Sequence, residues 1–417
     1  MEVVPLAQED LAVLALECDT VVGHTCKVIV LDEGAPDLAT LRESVAGRLD
    51  AVPALTRRLD PARTEPAWVP DDAFDVANHV DQPTLEAAPD DDGFRAEVAR
   101  LFEQRLDRER PLWRIDIVPR PGGGTALVWR IHHSLADGTT AMRYARELLW
   151  DPEAEGAPSR GHSRAAHSAD HARRRAHLGG FLHREFARSR GRSPFDGRIG
   201  TRRRIAFASV PLADLHDAVT ELDGATLNDA VLTILAGALQ RWVEGHHGHL
   251  GEVRVRVPVS LHHEGDDASN RDSFFSLGLR LREPDPVARL RAVHAATAKR
   301  KSEHDAERLD ELARELGHIS PRLRRFCDRL EQSPRRFAVS VSNVPGPRSR
   351  VAVLGAPVDA LYSIAEIGER HALRVAVVSL AGRLYFGFCA DPGIVDDLQL
   401  MAGGVEAEAA ELIAAAR

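Results

Sequence analysis

Tyrosine and methionine each occur only three times in this chain of 417 residues, and aromatic side chains make up 5% of it. Any large apolar cavity must therefore be lined mainly by aliphatic residues. Cysteine is scarce too: Cys18, Cys26, Cys327 and Cys389 form no CxxC pair, which argues against a disulfide framework or a structural zinc site and fits a reducing compartment. No stretch approaches 18 consecutive apolar residues, which excludes a membrane-spanning helix. The start, Met1-Glu2-Val3-Val4-Pro5, has neither the basic region nor the apolar run of a signal peptide. Positive charge is not in excess: 54 Lys and Arg against 63 Asp and Glu leave −9, which speaks against general nucleic-acid binding. What is present is an ordinary apolar fraction of 44%, enough for a full core in a chain of two or three domain equivalents. A cytoplasmic enzyme or binding protein fits these numbers.

The charge is unevenly spread. Between Arg160 and Arg204 there are thirteen Arg and five His against three acidic residues, with Gly and Ser between them and little apolar periodicity. This composition predicts a solvated connection, and it divides the chain into residues 1–155, a basic linker 156–204, and residues 205–417. The linker reads either as a basic loop or as a surface drawn to anionic lipid or to nucleotide phosphates. Within it, Phe181, Leu182 and Phe186 suggest a short helix over 178–186.

In the first part, 41–59 reads as a helix and turn, and 94–106 as an amphipathic helix with Phe94, Val98, Leu101 and Phe102 on one side. A strand over 113–118, a turn at Pro121 with three glycines, and a strand over 125–131 form a hairpin. A helix over 139–149 follows, so the loop between strand and helix holds Ile131-His132-His133-Ser134-Leu135-Ala136-Asp137-Gly138. In the second part, 226–243 is an almost wholly apolar helix, and Arg254 and Arg256 alternate with valines in a strand that ends at 260–261. A helix over 286–300, a strand over 337–342 stopped by Asn343-Val344-Pro345-Gly346-Pro347, and a hairpin of 373–380 with 384–390 complete a mixed α/β or α+β pattern.

The chemistry centres on His133. Histidine suits reversible proton transfer near neutral pH, and a loop at a strand end can expose it on a rigid scaffold. Asp137 can order that loop by pairing with a cation or with backbone amides, and Gly138 offers conformational freedom at its exit. The string HHxxxDG arises by chance on the order of a hundredth of the time in a chain of this length and composition. A second match, His262-His263-Glu264-Gly265-Asp266-Asp267, ends in Ala268 rather than Gly and reads as a solvated loop; a metal site is its alternative. His132 reads as a packing residue more than a reacting one, and Trp113 as core whose surroundings could line a channel. Thr226 with Asp229 resembles a capping box, so Asn228 and Asp229 divide between helix architecture and catalytic support.

Pro111-Leu112-Trp113, His132 to Gly138, Asn228-Asp229-Ala230-Val231-Leu232, Pro258-Val259-Ser260-Leu261 and Ser342 to Pro347 stand in the order of the bacterial wax ester synthase/diacylglycerol acyltransferase family, which this chain resembles over nearly its whole length. Gly355-Ala356, Leu384 to Gly387 and Ala390-Asp391-Pro392 extend the resemblance. It implies a chloramphenicol-acetyltransferase-like fold, two similar α/β domains with a tunnel between them. It also implies transfer of a fatty acyl group from acyl-CoA, as substrate and without cofactor or metal, to diacylglycerol or a long-chain alcohol.

His133 would then act as general base, with donors near Asn228 stabilising the oxyanion, and His132, Gly138 and Asp229 in support. The aspartate matching Asp137 is expected to turn away and pair with an arginine. The family often carries that arginine where this chain has Thr56, which leaves Arg57 or Arg58 as substitutes or an altered bridge. Leu6 to Asp10, Val21 to Thr25 and Ser269-Asn270 depart from family elements, which touches acceptor and chain-length preference rather than class. A condensation-type acyltransferase of secondary metabolism, using CoA or carrier-protein thioesters, and a non-catalytic acyl-lipid-binding relative are the alternatives. Peripheral contact with an anionic membrane, at the inner face of the cell membrane, or with a lipid droplet follows from the linker and from water-insoluble substrates.

Overall fold

The computed structural model describes residues 3–32, 34–63, 65–85, 89–152, 193–220, 224–260, 272–302 and 337–417. Most of the basic segment, the helix expected over 178–186, the second HHxxxD string and Ser269-Asn270 lie outside the described residues.

In chain order the elements are β1 (Val4–Pro5), α1 (Gln8–Leu16), β2 (His24–Leu31), α2 (Leu38–Arg48), β3 (Arg57–Asp60), β4 (Ala67–Pro70), β5 (Val80–Asp81), α3 (Asp91–Glu103), β6 (Trp113–Pro119), β7 (Thr125–His132) and α4 (Gly138–Leu148). Then come β8 (Arg204–Pro211), α5 (Leu212–Thr220), α6 (Leu227–His247), β9 (Glu252–Ser260), β10 (Asp272–Arg280), α7 (Pro286–Ser302), β11 (Val339–Val344), β12 (Ala352–Val353), β13 (Ala356–Ala365), β14 (Leu373–Leu380), β15 (Arg383–Ala390) and α8 (Leu398–Ala415). Among the described residues two six-stranded sheets carry the fold, ordered β12-β13-β2-β7-β6-β5 and β10-β9-β11-β14-β15-β8, with a three-stranded sheet β1-β4-β3.

The expected hairpin is β6 and β7, paired antiparallel through Trp113↔Ile131 and Ile115↔Trp129. β2 is buried along all eight residues, as a central strand covered on both faces must be. Antiparallel partners share a face, so His24, Cys26, Arg130 and His132 lie on one side of the sheet, and Thr25, Lys27, Trp129, Ile131 and Trp113 on the other. The first side receives α3: His24 Nε2 bonds to the Phe102 carbonyl at 2.8 Å, and Arg130 Nη1 donates to the Leu101 carbonyl at 2.7 Å. On the second side Trp113, 1% exposed, donates its indole N–H to the Leu55 carbonyl at 2.7 Å, which confirms it as core.

Two expectations need adjustment. The helix read over 41–59 ends at Arg48; Pro53 opens a short 3-10 turn to Thr56, and β3 follows, because proline cannot continue the helical ladder. The strand read over 337–342 instead runs from Val339 to Val344, parallel to β14, and stops at Pro345, which has no N–H to pair. Phe337 sits outside it, stacked on His371 at 4.1 Å. The far end of the basic segment also departs from a solvated connection: Arg203 is 5% exposed and bonds Glu366 at 2.8 Å.

Chain order and sheet membership part at β13. This strand comes from the second half of the sequence yet pairs with β2, with Lys27 opposite Ser363. The second sheet presses against it so closely that a side-chain carbon added to Gly387 on β15 would lie 2.0 Å from the Ser363 carbonyl oxygen. The two halves therefore meet along β13, beside the end of β7.

Candidate active site at the end of strand β7

The His132 to Gly138 loop is a tight turn. Its entrance is fixed by the amide of His133, which donates to the Gly23 carbonyl at 3.0 Å. Leu135 and Ala136 amides then turn back onto the His132 carbonyl, at 2.9 and 3.1 Å. At the exit the Asp137 carboxylate accepts the Thr140 amide at 2.6 Å and starts α4 as its N-cap. Gly138 is needed for space rather than for backbone freedom: a side-chain carbon there would lie 2.7 Å from Val344 Cγ2. The turn is thus packed directly against the Val344-Pro345 segment of the second half.

The two histidines have different surroundings. His132 is 2% exposed; its Nε2 meets Glu17 Oε1 at 2.5 Å and its Nδ1 meets Ser134 Oγ at 2.6 Å. The Ser134 amide also donates to Nδ1, at 3.1 Å, so the ring proton belongs on Nε2 and points at Glu17. Burial works against ionising Glu17, but His132 and Arg108 outweigh it and hold the carboxyl below its ordinary range. Arg105 and Arg108 reach the same carboxylate at 3.1 and 2.9 Å. His132 is therefore a packed and fully engaged residue, as read. It borders a cleft of about 310 Å³ shared with Glu17, Val22, Arg105 and Leu112. A larger groove, about 490 Å³, lies between β8, the β14–β15 turn and the end of α8, and none of the predicted site residues lines it.

His133 is half-buried. Burial, helped by the positive charge of Arg374, pushes its pKa down to about 4, so its imidazole is neutral at physiological pH. Asp137 is 1% exposed, and Thr140 provides the one side-chain hydrogen bond it has among the described residues. Neither Arg57 nor Arg58 forms an ion pair with it there. The bridge left open by Thr56 is not rebuilt from the adjacent arginines, which stand on β3 in the small sheet, paired with Pro70 and Val69.

Asn228 and Asp229 stand apart, at the start of α6. The capping box is real: Asp229 accepts the Thr226 amide at 2.8 Å, and the Asp229 amide donates back to Thr226 Oγ1 at 3.3 Å. Asp229 also holds His294 Nδ1 at 3.0 Å and the Thr297 hydroxyl at 2.5 Å, both from α7. These bonds overcome its burial and keep its pKa low. Asn228 is half-buried, and its side chain makes no hydrogen bond among the described residues. The turn thus brings together His132, His133, Asp137 and Gly138, while among the described residues Asn228 and Asp229 belong to the start of α6, where Asp229 bonds within the cap and to α7. Glu17 was missed, because it is distant in sequence from its histidine.

A model of the wax ester synthase/diacylglycerol acyltransferase catalytic domain matches residues 6–189 and 157–231, and a model of the family's C-terminal domain matches residues 268–412. The chain belongs to the wax ester synthase/diacylglycerol acyltransferase family. It is an acyltransferase of that family, with the two-domain chloramphenicol-acetyltransferase-like fold. The Mycobacterium tuberculosis (strain ATCC 25618 / H37Rv) protein named probable diacylglycerol O-acyltransferase Tgs1 is 28% identical, over 92% of this chain and 90% of its own length. A wax ester synthase/diacylglycerol acyltransferase of Marinobacter aquaeolei VT8 superposes with a TM-score of 0.72 at 24% identity, over 99% of both chains. A starter condensation domain of rhizomide synthetase RzmA, solved with C8-CoA, superposes at 0.61 and 15% identity, over 99% of this chain and 93% of that one. The similarity to these two structures is one of fold.

Proposed function

We propose that this enzyme moves a fatty acyl group from acyl-CoA to the hydroxyl of diacylglycerol or a long-chain alcohol, with His133 as general base. The supporting observation is the neutral His133 on a turn fixed at both ends, in a chain of this family. The base takes the hydroxyl proton as the oxygen attacks the thioester carbonyl, and a tetrahedral oxyanion forms. Collapse breaks the C–S bond, and the proton passes from His133 to the leaving CoA thiolate. No acyl-enzyme and no further cofactor is needed.

A pKa near 4 makes a free imidazole available but a weak base. The oxyanion growing beside it supplies negative charge and raises its proton affinity during the step itself. Asn228 is the proposed oxyanion donor: its side-chain amide has no competing partner among the described residues, and it sits in the first turn of α6, where backbone N–H groups lack intrahelical acceptors.

CoA release by the purified enzyme, measured with diacylglycerol, long-chain alcohols and amines as acceptors, tests this reading. Ester formation that drops by a factor on the order of a thousand in His133→Ala is the expected result. Release only from carrier-bound acyl groups would move the enzyme to the condensation-type class, and undiminished turnover in the variant would remove His133 from the chemistry.

No described helix is long and apolar enough to cross a membrane. The nine arginines between 160 and 192 support peripheral contact instead. Co-sedimentation with anionic vesicles at low salt, lost at high salt, is the expected outcome; no sedimentation at low salt rejects it.

A further inference from the structure

Residues 18–23 lead into β2 with one short bridge of their own, Cys18 to Val21, so most of their backbone groups need partners from elsewhere. Two side chains, both nearly sealed from solvent, supply them. Arg203, 5% exposed, comes from the far end of the basic segment; Glu366, 7% exposed, follows β13. Their ion pair spans 2.8 Å, from Arg203 Nε to Glu366 Oε1. The remaining guanidinium nitrogens go to backbone: Nη1 donates to the carbonyls of Gly200 and Arg202 at 2.8 and 2.9 Å, and Nη2 to the carbonyl of Thr20. Glu366 is occupied in the same manner, for its Oε1 takes the Ile367 amide at 2.8 Å and its Oε2 the Val22 amide at 3.2 Å. α3 holds the pair from a third side, where Glu103 Oε1 accepts the Arg203 amide at 2.7 Å.

A buried ion pair is weak evidence for stability, since apolar side chains of similar volume often serve a core as well. What an apolar pair could not do is grip Thr20 by its carbonyl and Val22 by its amide. The next residue carries that grip to the active-site turn. Gly23 accepts the His133 amide at 3.0 Å, and its left-handed φ of 73° places it where a side-chain carbon would lie 2.6 Å from His132 Nε2 and 2.7 Å from Glu17 Cγ. The segment therefore cannot shift without moving the entrance of the turn. We propose that Arg203 and Glu366 are positioning residues of the acyl-transfer site: their ion pair clamps Thr20 and Val22 and, through the Gly23 carbonyl, fixes the backbone of His133.

Neither residue touches substrate or the reacting atoms in this scheme. Both lie outside residues 1–155, which carry the histidine motif, so the first half receives the last part of its geometry from the rest of the chain. Arg374 of β14 belongs to the same junction: its Nη1 donates to the Glu366 carbonyl at 3.0 Å, and its positive charge acts on His133. Movement of residue 366 would carry that charge with it.

The kinetic arm of the test rests on the reading of His133 as general base; a second arm needs no turnover. In Glu366→Gln one oxygen becomes an NH2, which sets donor against donor at Val22 or at Arg203 and Ile367. There kcat is expected to fall about tenfold with KM within about threefold, because a displaced base costs rate rather than ground-state binding. Arg203→Met should do the same, and the two changes together should cost no more than the larger single loss. Arg203→Lys keeps the charge beside Glu366 without the fork that also reaches Thr20, so its loss should stop at about threefold. Independently of activity, hydrogen exchange at the Val22 and His133 amides should accelerate about tenfold in Glu366→Gln, while the Thr140 amide at the exit of the turn stays within about twofold. That contrast separates positioning from a general loosening of the fold. If Arg203→Met does not fold, Glu366→Gln and Arg203→Lys carry both arms. Unchanged exchange at His133 in the folded variants, acceleration that reaches Thr140 equally, or losses that add in the double variant each overturn the proposal. So does an exchange effect with no fall in kcat, in an enzyme that needs His133. Undiminished turnover in His133→Ala together with the exchange effect would instead overturn the reading of His133 and leave the clamp standing.

Discussion

Asp137 and Asp229 are both 1% exposed, and each caps a helix, yet they sit in opposite regimes. Asp229 is saturated: the Thr226 amide and hydroxyl, His294 and Thr297 occupy its two oxygens. Asp137 accepts a single amide among the described residues. A carboxylate with both oxygens engaged by four donors serves architecture, because loss of any donor leaves a buried charge less compensated. A carboxylate with capacity left over can respond to charge nearby, which suits a turn that must hold a base while charge develops next to it.

Asparagine substitution should separate the two most widely. Asn caps a helix about as well as Asp, so Asp137→Asn removes charge with little change of cap; about a tenfold or greater loss of kcat with less than about 1 kcal/mol of stability is expected, read by steady-state kinetics and denaturant titration. Asp229→Asn should invert that pattern, losing about 2–3 kcal/mol because His294 and Thr297 keep their places around a neutral amide. Its kcat per folded molecule should change less than that of Asp137→Asn. Equal kinetic losses in the two variants would erase the distinction.

The pH response comes next in size. His133 has a folded pKa near 4 against about 6.5 in an unfolded chain, so the unfolded state binds the extra proton between those values. Stability should therefore decline as pH falls from about 6.5 toward about 4, and His133→Gln should make that part of the profile shallower in thermal melts, with the buried His24 and His79 supplying the remainder. The smallest effect concerns the contact between the halves: Gly138→Ala forces Val344 to move and should cost activity about threefold, restored by adding Val344→Ala. A double variant no better than the single would place the constraint elsewhere.

What is legible in the sequence follows from local rules. The β6–β7 hairpin has strands of β-forming residues around a Pro-Gly turn. The α3 face repeats at helical spacing, and Thr226 and Asp229 stand three apart as a capping box does. The HHxxxDG turn was located for the same reason, since strand, loop and helix all lie within twenty-odd residues. Hidden were the features that depend on distant pairing. β2 carries Cys26 and Lys27 at its centre, which breaks the apolar run that would mark a central strand. β13 alternates legibly, but nothing local says that it joins the sheet of the other half. Glu17 meets His132 across 115 positions of sequence.

The place of β13 also orders events during synthesis. A ribosome releases β2, β6 and β7 long before residue 365, and until β13 arrives the nascent sheet ends at an open backbone edge beside β2. Val344, which packs against Gly138 of the turn, also arrives only after the linker. The turn around His133 thus stays unfinished on a growing chain, and a truncated product ending in the linker would possess every residue of the histidine motif without a shaped site to put them in.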